Sequence, residues 1–563
     1  MLLPILTKTS AEEATRHDLN QRKKLGAFYT PLSVSKLLSA WGIRKDTDRV
    51  LEPCFGGCTF LESAVSQLKA LGNETPERNL YGCDIDPVAF TFLRSRIANT
   101  TETQQFFEQD FLTLSAKNIP GGKVDLVLGN PPYISYENIV DAARLTLNSW
   151  RENHAPELSR RASLWAHFVL HSLEFLKAGG RIALVLPGSF LYAAYAEGVR
   201  SVLRKSFSNL LAISLAERLF VSEGTEETTV VLLGEGYLES PKSEIFPITC
   251  VESVEELGLL TEQKDMFECV KPRADSGNGI IPDDILDLYR DMSISPDIRS
   301  LGQLAKINIG LVTGDSAFFI KSHSAWRDVG IDRRHLRYIL PRSQYVSGIS
   351  INFDRARAHI NDERKCLALS PPDTPRAVSL LDYLRSYPEA KRKNNATFAK
   401  REPWYDFNDD HIPNAFFVLM TALGPRLVLN EIDANATNGY YRVFFNAGVT
   451  LQRMKLACIS IHSTYSKISA EIYGHPRGSG ALKLEPSGAA KIKLFMPDRS
   501  DAEIFKYFSA IDKYLADGLP ELARQTADEF LFADSEFSKL LPAMRQGLDT
   551  IRARRSRPVP IIT

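Results

Sequence analysis

Through the first 235 residues, apolar runs of strand length alternate with apolar positions at helical spacing. Val34, Leu37, Leu38 and Trp41 repeat at helical intervals behind Thr30-Pro31, which reads as an N-cap followed by proline at the first helical position. Arg49-Val50-Leu51 opens a strand that runs into Glu52-Pro53-Cys54-Phe55-Gly56-Gly57-Cys58-Thr59-Phe60-Leu61, a glycine turn ahead of a helical pattern. Leu80 to Cys83 forms a second strand ending in Asp84-Ile85-Asp86-Pro87, and Phe106 to Leu112 a third carrying Asp110. Val124-Asp125-Leu126-Val127-Leu128-Gly129 is a fourth, and Ile182 to Pro187, entered through Gly179-Gly180-Arg181, a fifth. Ala212 to Phe220 and Thr228 to Leu233 read as a β-hairpin pair. Strands alternating with helices predict an α/β domain on a mostly parallel sheet.

The rhythm then fades. Residues 236–300 show no clear period and hold Pro241, Pro247, Pro272, Gly277, Gly279 and Pro282, which suggests a connecting region. A new block opens at Leu301. The expected organisation is a domain over 1–240, a connector over 241–300 and a second domain of mixed α+β character over 301–563. A chain of 563 residues is too long for one core, so more than one domain is required. No internal repeat is visible.

Charge sharpens this division. The net charge is zero, with 68 basic and 68 acidic residues, but residues 301–563 hold 37 Lys and Arg against 28 Asp and Glu. An acidic half joined to a basic half suggests a small-molecule half and a polyanion-binding half. Lys391, Arg392 and Lys393, followed by Lys400 and Arg401 beside Trp404-Tyr405, are the candidates for phosphate contacts. Arg552-Ala553-Arg554-Arg555-Ser556-Arg557 reads as a basic tail, disordered rather than specific. The longest apolar run, Ile182 to Ala196, is broken by Pro187, Gly188 and Ser189, and Met1 to Leu6 is too short for a signal peptide, so neither a membrane nor secretion is expected. Seven cysteines without paired spacing suggest a reducing cytoplasm. Cys54 and Cys58 have no Cys or His partners at zinc spacing, so they read as small core residues, and no metal is expected.

The densest chemistry sits at Asn130-Pro131-Pro132-Tyr133, where a buried strand gives way to a loop. Open α/β sheets place ligands at such strand ends. Two consecutive prolines hold the backbone extended and remove two backbone N–H groups. The Asn130 amide and the loop carbonyls are then fixed acceptors beside the flat Tyr133 ring, an arrangement suited to a planar ring bearing an exocyclic amine. The glycines at 56 and 57 let a ligand approach the backbone closely. The turn is neither a Walker loop nor a dinucleotide fingerprint.

Taken in order, Glu52-Pro53 with its glycine turn, Asp84-Ile85-Asp86-Pro87, Asp110-Phe111 and Asn130-Pro131-Pro132-Tyr133 resemble an adenine-N6 DNA methyltransferase. Gly26 to Pro31 ahead of them resembles the block that the gamma class carries before its cofactor turn. The blocks at Leu301 to Gly314 and Tyr473 to Pro486 resemble stretches of restriction-modification target-recognition domains. The resemblance implies a Rossmann-like class I methyltransferase domain with a seven-stranded sheet, and transfer of a methyl group from S-adenosylmethionine to N6 of a flipped-out adenine in double-stranded DNA.

It also implies residue roles. Glu52 would hold the methionine end of the cofactor and Asp84 its ribose. Asp110 would hold the adenine amine, packed by Ile85 and Phe111. Tyr29, Thr30 and Pro31 would close the methionine end, with Cys54, Gly56, Asn130 and Pro132 lining the remainder. Asn130, Pro131, Pro132 and Tyr133 would act on the target base, stacked between Tyr133 and Phe220. The run Cys54-Phe55-Gly56-Gly57-Cys58 departs from the family's more regular turn. The implied setting is a bacterial cytoplasm, with the enzyme on the nucleoid when it holds DNA, working as a monomer beside a separate restriction endonuclease.

Other readings compete. Glutamine methyltransferases of release factors share Asn-Pro-Pro-Tyr but lack the Phe-Tyr-Thr-Pro block and a basic second half. RNA base methyltransferases share the tetrapeptide as well. In a bifunctional nuclease-methyltransferase, Asp354 with Glu363-Arg364-Lys365 would supply the acids, inside the second domain. A DNA-binding module without catalysis would have lost cofactor affinity.

Overall fold

The computed structural model describes residues 29–97, 105–220, 228–241, 246–270, 281–372, 375–476 and 480–556. Gly26, Ala27 and Phe28 of the first block and Arg477, Gly478 and Ser479 of the last lie outside the described residues. The chain divides into two compact units, the first running to Ile280 and the second spanning Ile281–Ser556.

In the first unit, eight strands form one sheet: β1 (Val50–Glu52), β2 (Leu80–Asp84), β3 (Phe106–Glu108), β4 (Val124–Gly129), β5 (Leu176–Pro187), β6 (Phe207–Leu215), β7 (Thr229–Tyr237) and β8 (Ile248–Val251). Their spatial order is β3-β2-β1-β4-β5-β7-β6-β8. Strands β1 to β5 are parallel, and β7 is inserted antiparallel between β5 and β6. Side-chain alternation sends Val127, Leu184, Leu186 and Leu232 into the core on one face, and Leu126, Leu128, Ala183, Val185 and Leu233 into the core on the other. Both faces are covered, which is why these strands read as continuous apolar runs rather than as alternating ones.

The sheet has one strand more than the seven expected. β8 pairs parallel with β6 through Ala212↔Ile248 to Leu215↔Val251, inside the stretch expected to be a connector. Only four residues long and bonded along one edge, it offers too few positions for a period to show. The helix Val254–Thr261 follows it, and Asp283–Met292 begins the second unit, so the described residues between 246 and 300 hold regular elements that are divided between the units. The first described helix, Leu32–Gly42, also starts one residue later than expected. Pro31, with ψ 141°, is its N-cap, and the Pro31 carbonyl accepts from Val34 N at 3.1 Å and Ser35 N at 3.2 Å.

The second unit is mixed α and β. A five-stranded sheet runs in the order Ala305–Ile309, Tyr441–Phe445, Ala415–Val418, Arg426–Asn430 and Ser350–Ile351. Packed within the unit are the helices Leu451–Ser460, Thr464–Tyr473, Asp501–Ala516, Pro520–Phe532 and Leu541–Ser556. The basic run at the end of the chain is not the disordered tail expected through Ser556. It is the last turns of Leu541–Ser556, and Arg555 reaches inward to a bidentate pair with Glu471 at 2.9 and 3.0 Å, both residues buried. Arg552 pairs with Glu521 at 2.8 Å and Arg545 with Asp528 at 3.0 Å. No helix among the described residues is long and apolar enough to cross a membrane.

Arg555→Ala leaves Glu471 buried without its counter-ion. A stability loss of about 3–5 kcal/mol is expected for breaking one side of such a pair. Urea denaturation of the full chain measures it, and an unshifted midpoint would show that the pair contributes nothing.

Candidate active site at the strand tips

The strand order reverses between β1 and β4, which are neighbours although two other strands separate them in the sequence. At such a switch point the connections leave in opposite directions and open a crevice at the carboxyl ends of the strands. A cavity of about 420 Å³ occupies it. Tyr29, Thr30, Glu52, Cys54, Gly56, Asp84, Ile85, Asp110, Phe111, Asn130 and Pro132 all line this cavity. Pro31, Pro131, Tyr133 and Phe220 do not.

Strand geometry explains the convergence. Glu52 is the last residue of β1 and Asp84 the last of β2, while Asn130 directly follows β4. The Asp84 carboxylate braces the glycine turn, accepting from Gly56 N at 2.8 Å and from Asp86 N at 2.9 Å. Burial pushes its pKa up to about 6. The two backbone donors pull it back, and the nearby Asp86 charge adds to the rise. Glu52 is also buried, and its Oε2 has no hydrogen-bond partner among the described residues. Burial first, and then the Asp84 charge, hold the Glu52 carboxyl well above the usual range, with Leu61 N–H partly offsetting them. Two buried carboxylates that resist ionisation form one wall of the cavity, a surface that a cationic, hydroxyl-rich ligand would match.

Asp110 accepts from Leu112 N at 3.0 Å and so caps the short turn Phe111–Thr113. Phe111 is nearly fully buried, with its ring against Phe168, His171 and Phe175, whereas Ile85 is 65% exposed at the rim. Gly57 touches Tyr29 so closely that an added Cβ would lie 2.7 Å from the ring. The Cys54 thiol donates to the Asn130 carbonyl at 3.0 Å. The Tyr133 ring meets Phe220 edge-on, with centroids 6.2 Å apart and planes at 88°, and Phe220 is buried at 1% exposure in the sheet core.

Sequence reading missed much of the apolar lining. Phe55, Phe60, Ile139, Leu147, Leu164 and Phe168 belong to it, as do Gln109 and Asn138. Leu147 lies on the helix Asp141–His154, and Leu164 and Phe168 on Leu164–Ser172. No local pattern shows that these helices line the cavity.

The basic candidates of the second unit do not form one uniform patch. Lys391 and Lys400 are exposed, Lys393 pairs with Glu389 at 2.8 Å, and Arg392 lies 5.8 Å from the Trp404 ring. Arg401 donates to the carbonyls of Thr313, at 3.2 Å, and Val312. Glu363 accepts from Ser324 N and Oγ at 2.9 and 2.7 Å.

Comparisons with known proteins point one way. Residues 15–265 match the family model described as N-6 DNA Methylase, and residues 277–532 match the C-terminal domain of type II methyltransferase M.Eco57I. The type II methyltransferase M.AccI of Acinetobacter calcoaceticus is 21% identical over 546 residues, covering 95% of this chain and 93% of that protein. M.XamI of Xanthomonas campestris pv. amaranthicola is 21% identical over 305 residues, with about half of each chain covered (54% of this chain and 54% of M.XamI). Among solved structures, the type IIL restriction-modification enzyme MmeI in complex with DNA is similar in fold, with a TM-score of 0.51 at 12% identity, covering 90% of this chain and 73% of that one.

Because the folded state raises the Glu52 pKa, ionised Glu52 opposes folding, and this cost grows as pH rises from the unfolded value towards the folded one. Glu52→Gln should therefore melt higher than the wild type at pH 8 in the absence of ligand, with the gap narrowing as the pH is lowered. Thermal scans at several pH values test this, and a variant that melts lower at pH 8 would show that the carboxylate is stabilised in the fold.

Proposed function

We propose that this chain is a DNA adenine methyltransferase of the restriction-modification type, since residues 15–265 match the N-6 DNA Methylase model and residues 277–532 the C-terminal domain of type II methyltransferase M.Eco57I. From that premise, we propose that it methylates N6 of an adenine flipped out of double-stranded DNA at a specific site. The observation that carries this reading is the convergence of Glu52, Asp84, Asp110 and Asn130 on one cavity.

S-adenosylmethionine fits this lining. The unpartnered Glu52 Oε2 suits the ammonium of its methionine end, and the Gly57–Tyr29 contact leaves room there for little more than backbone. Asp84 would accept from the ribose hydroxyls and Asp110 from the adenine amine, with Ile85 and Phe111 against the ring. Tyr29 and Thr30 would close the methionine end. When bound, the cofactor supplies a methyl group activated by a sulfonium centre.

The chain's own contribution is positioning and electrostatics. The nitrogen of an aromatic amine is a poor nucleophile because its lone pair is delocalised into the ring. Asn130 Oδ1 and the Pro131 carbonyl would accept the two amine hydrogens and draw that nitrogen towards a tetrahedral state. A paired adenine is out of reach, so the base must leave the duplex. Tyr133 would stack on it, a contact worth about 1–3 kcal/mol. Phe220 is the proposed second wall. It is buried edge-on against Tyr133 and must leave that contact to face a base.

We assign DNA contacts to the second unit through Lys391, Arg392, Lys393 and Lys400. Arg401 is committed to the Val312–Thr313 carbonyls and would brace this surface from behind. The enzyme would act as a monomer, with any restriction endonuclease working separately.

Asn130→Ala should cut turnover by about a hundredfold or more, the usual effect of removing a positioned transition-state partner. Its cofactor affinity, read by calorimetry, should stay close to wild type. Retention of more than about a tenth of the rate would count against the acceptor role. Sequencing of methylated adenines in DNA from an expressing host tests the function itself, and methylation found in RNA or protein in its place would redirect the reading.

Changing Lys391, Arg392 and Lys393 together to Ala should weaken DNA binding and reduce the slope of log affinity against log salt by up to about 0.9 per lost phosphate contact. Arg401→Ala should instead lower stability. An unchanged salt slope in the triple variant would place Lys391, Arg392 and Lys393 away from DNA.

A further inference from the structure

The proposed acceptors sit in a loop with few means of holding itself still. Pro131 and Pro132 have no backbone N–H, so neither can donate to a neighbouring strand. Yet in-line transfer tolerates little displacement, since a shift of about 1 Å can cost a hundredfold in rate. Support must come from side chains or from donors outside the loop.

One such support runs between adjacent strand tips. β1 and β4 are paired through Val50↔Leu126 and Leu51↔Val127. Two residues beyond the end of β1, the Cys54 Sγ–H donates to the Asn130 carbonyl oxygen at 3.0 Å. That carbonyl belongs to the Asn130–Pro131 peptide, the unit joining the two proposed acceptors. Holding that carbonyl restrains Asn130 ψ; with Pro131 φ set by its ring and Pro131 ψ confined by the following Pro132, the direction of the Pro131 carbonyl relative to the Asn130 side chain is restrained with it. The thiol is suited to the task. Burial, and then the Asp84 and Glu52 carboxylates, push its pKa well up, so it keeps its proton and remains a donor.

We propose that Cys54 is a positioning residue for methyl transfer, its S–H holding the Asn130–Pro131 peptide so that Asn130 Oδ1 and the Pro131 carbonyl converge on the target amine. The proposal rests on the adenine-methylation reading of the site. It predicts a role different from simple filling of the cofactor cavity. A filler would be replaced well by Val, which has similar bulk and no donor, and poorly by Ser. A positioning donor would be replaced well by Ser and poorly by Val.

The test compares the full-length wild type with Cys54→Ala, Cys54→Val and Cys54→Ser. Single-turnover methyl transfer to DNA isolates the chemical step from product release. Ala and Val should lower that rate by about tenfold, the effect of a lost hydrogen bond of ordinary strength on the barrier. Ser should recover most of the rate. Cys54 also lines the cofactor cavity, so the rates are compared at saturating cofactor, with affinity read separately by calorimetry. A readout independent of activity is the infrared S–H stretch lost in Cys54→Ala, which should lie below that of a thiol in water. A full rate in Val, or a Ser variant as slow as Ala, overturns the proposal, as does an unshifted S–H band. If the wild type itself transfers no methyl group to DNA, the functional reading fails instead, and the infrared band still reports whether the bond exists.

Discussion

The site depends on one constraint: parallel strands flanking a reversal of strand order must end together at the same edge of the sheet. Glu52 ends β1, Asp84 ends β2 and Asn130 follows β4, so three polar groups distant in the sequence meet without any loop having to find them. The two carboxylates cannot then be solvated as they would be on a surface. Asp84 answers this by accepting from Gly56 and Asp86 N–H groups, which ties the glycine turn to β2. Glu52 keeps one oxygen without a partner among the described residues. The ligand-free fold therefore carries an unfavourable group at the place where a cationic ligand end would be most strongly held, a known way for binding sites to trade stability for affinity.

The same economy appears around the loop at β4. Its prolines give shape but no donors, so its geometry is set from outside, by Cys54 on one side and by the packing of Tyr133 against Phe220 on the other. The helices Asp141–His154 and Leu164–Ser172 contribute Leu147, Leu164 and Phe168, giving the cavity an apolar part to its lining beside its acids. An apolar side lowers the local dielectric and strengthens each polar contact made within it. In the second unit, buried ion pairs such as Arg555–Glu471 lock helices that are far apart in the sequence. Such pairs favour one arrangement over others because a misplaced partner leaves a bare charge inside.

The sequence by itself determined the main strands, the acids at their tips, the glycine turn and the Asn130-Pro131-Pro132-Tyr133 loop. Each is announced locally, by a run of apolar residues, by residues of special backbone conformation or by their order along the chain. It also marked a second, more basic half. Tertiary structure alone decided the rest. β8 exists because the edge of β6 was available to four residues that carry no period of their own. The helix after Tyr29 begins at Leu32 because the Pro31 carbonyl, rather than the Thr30 side chain, starts its hydrogen bonding. Arg401 and Arg555 look like solvated cations in the sequence, and both are taken up internally by carbonyls or by a carboxylate, Glu471, that is 84 positions away. Cys54 looks like a core residue until the carbonyl of Asn130, 76 positions on, arrives beside it. Periodicity fixes what a segment becomes, but the partner of a buried polar group is set by which distant backbone atoms the packed sheet brings within 3 Å, and no local pattern carries that information.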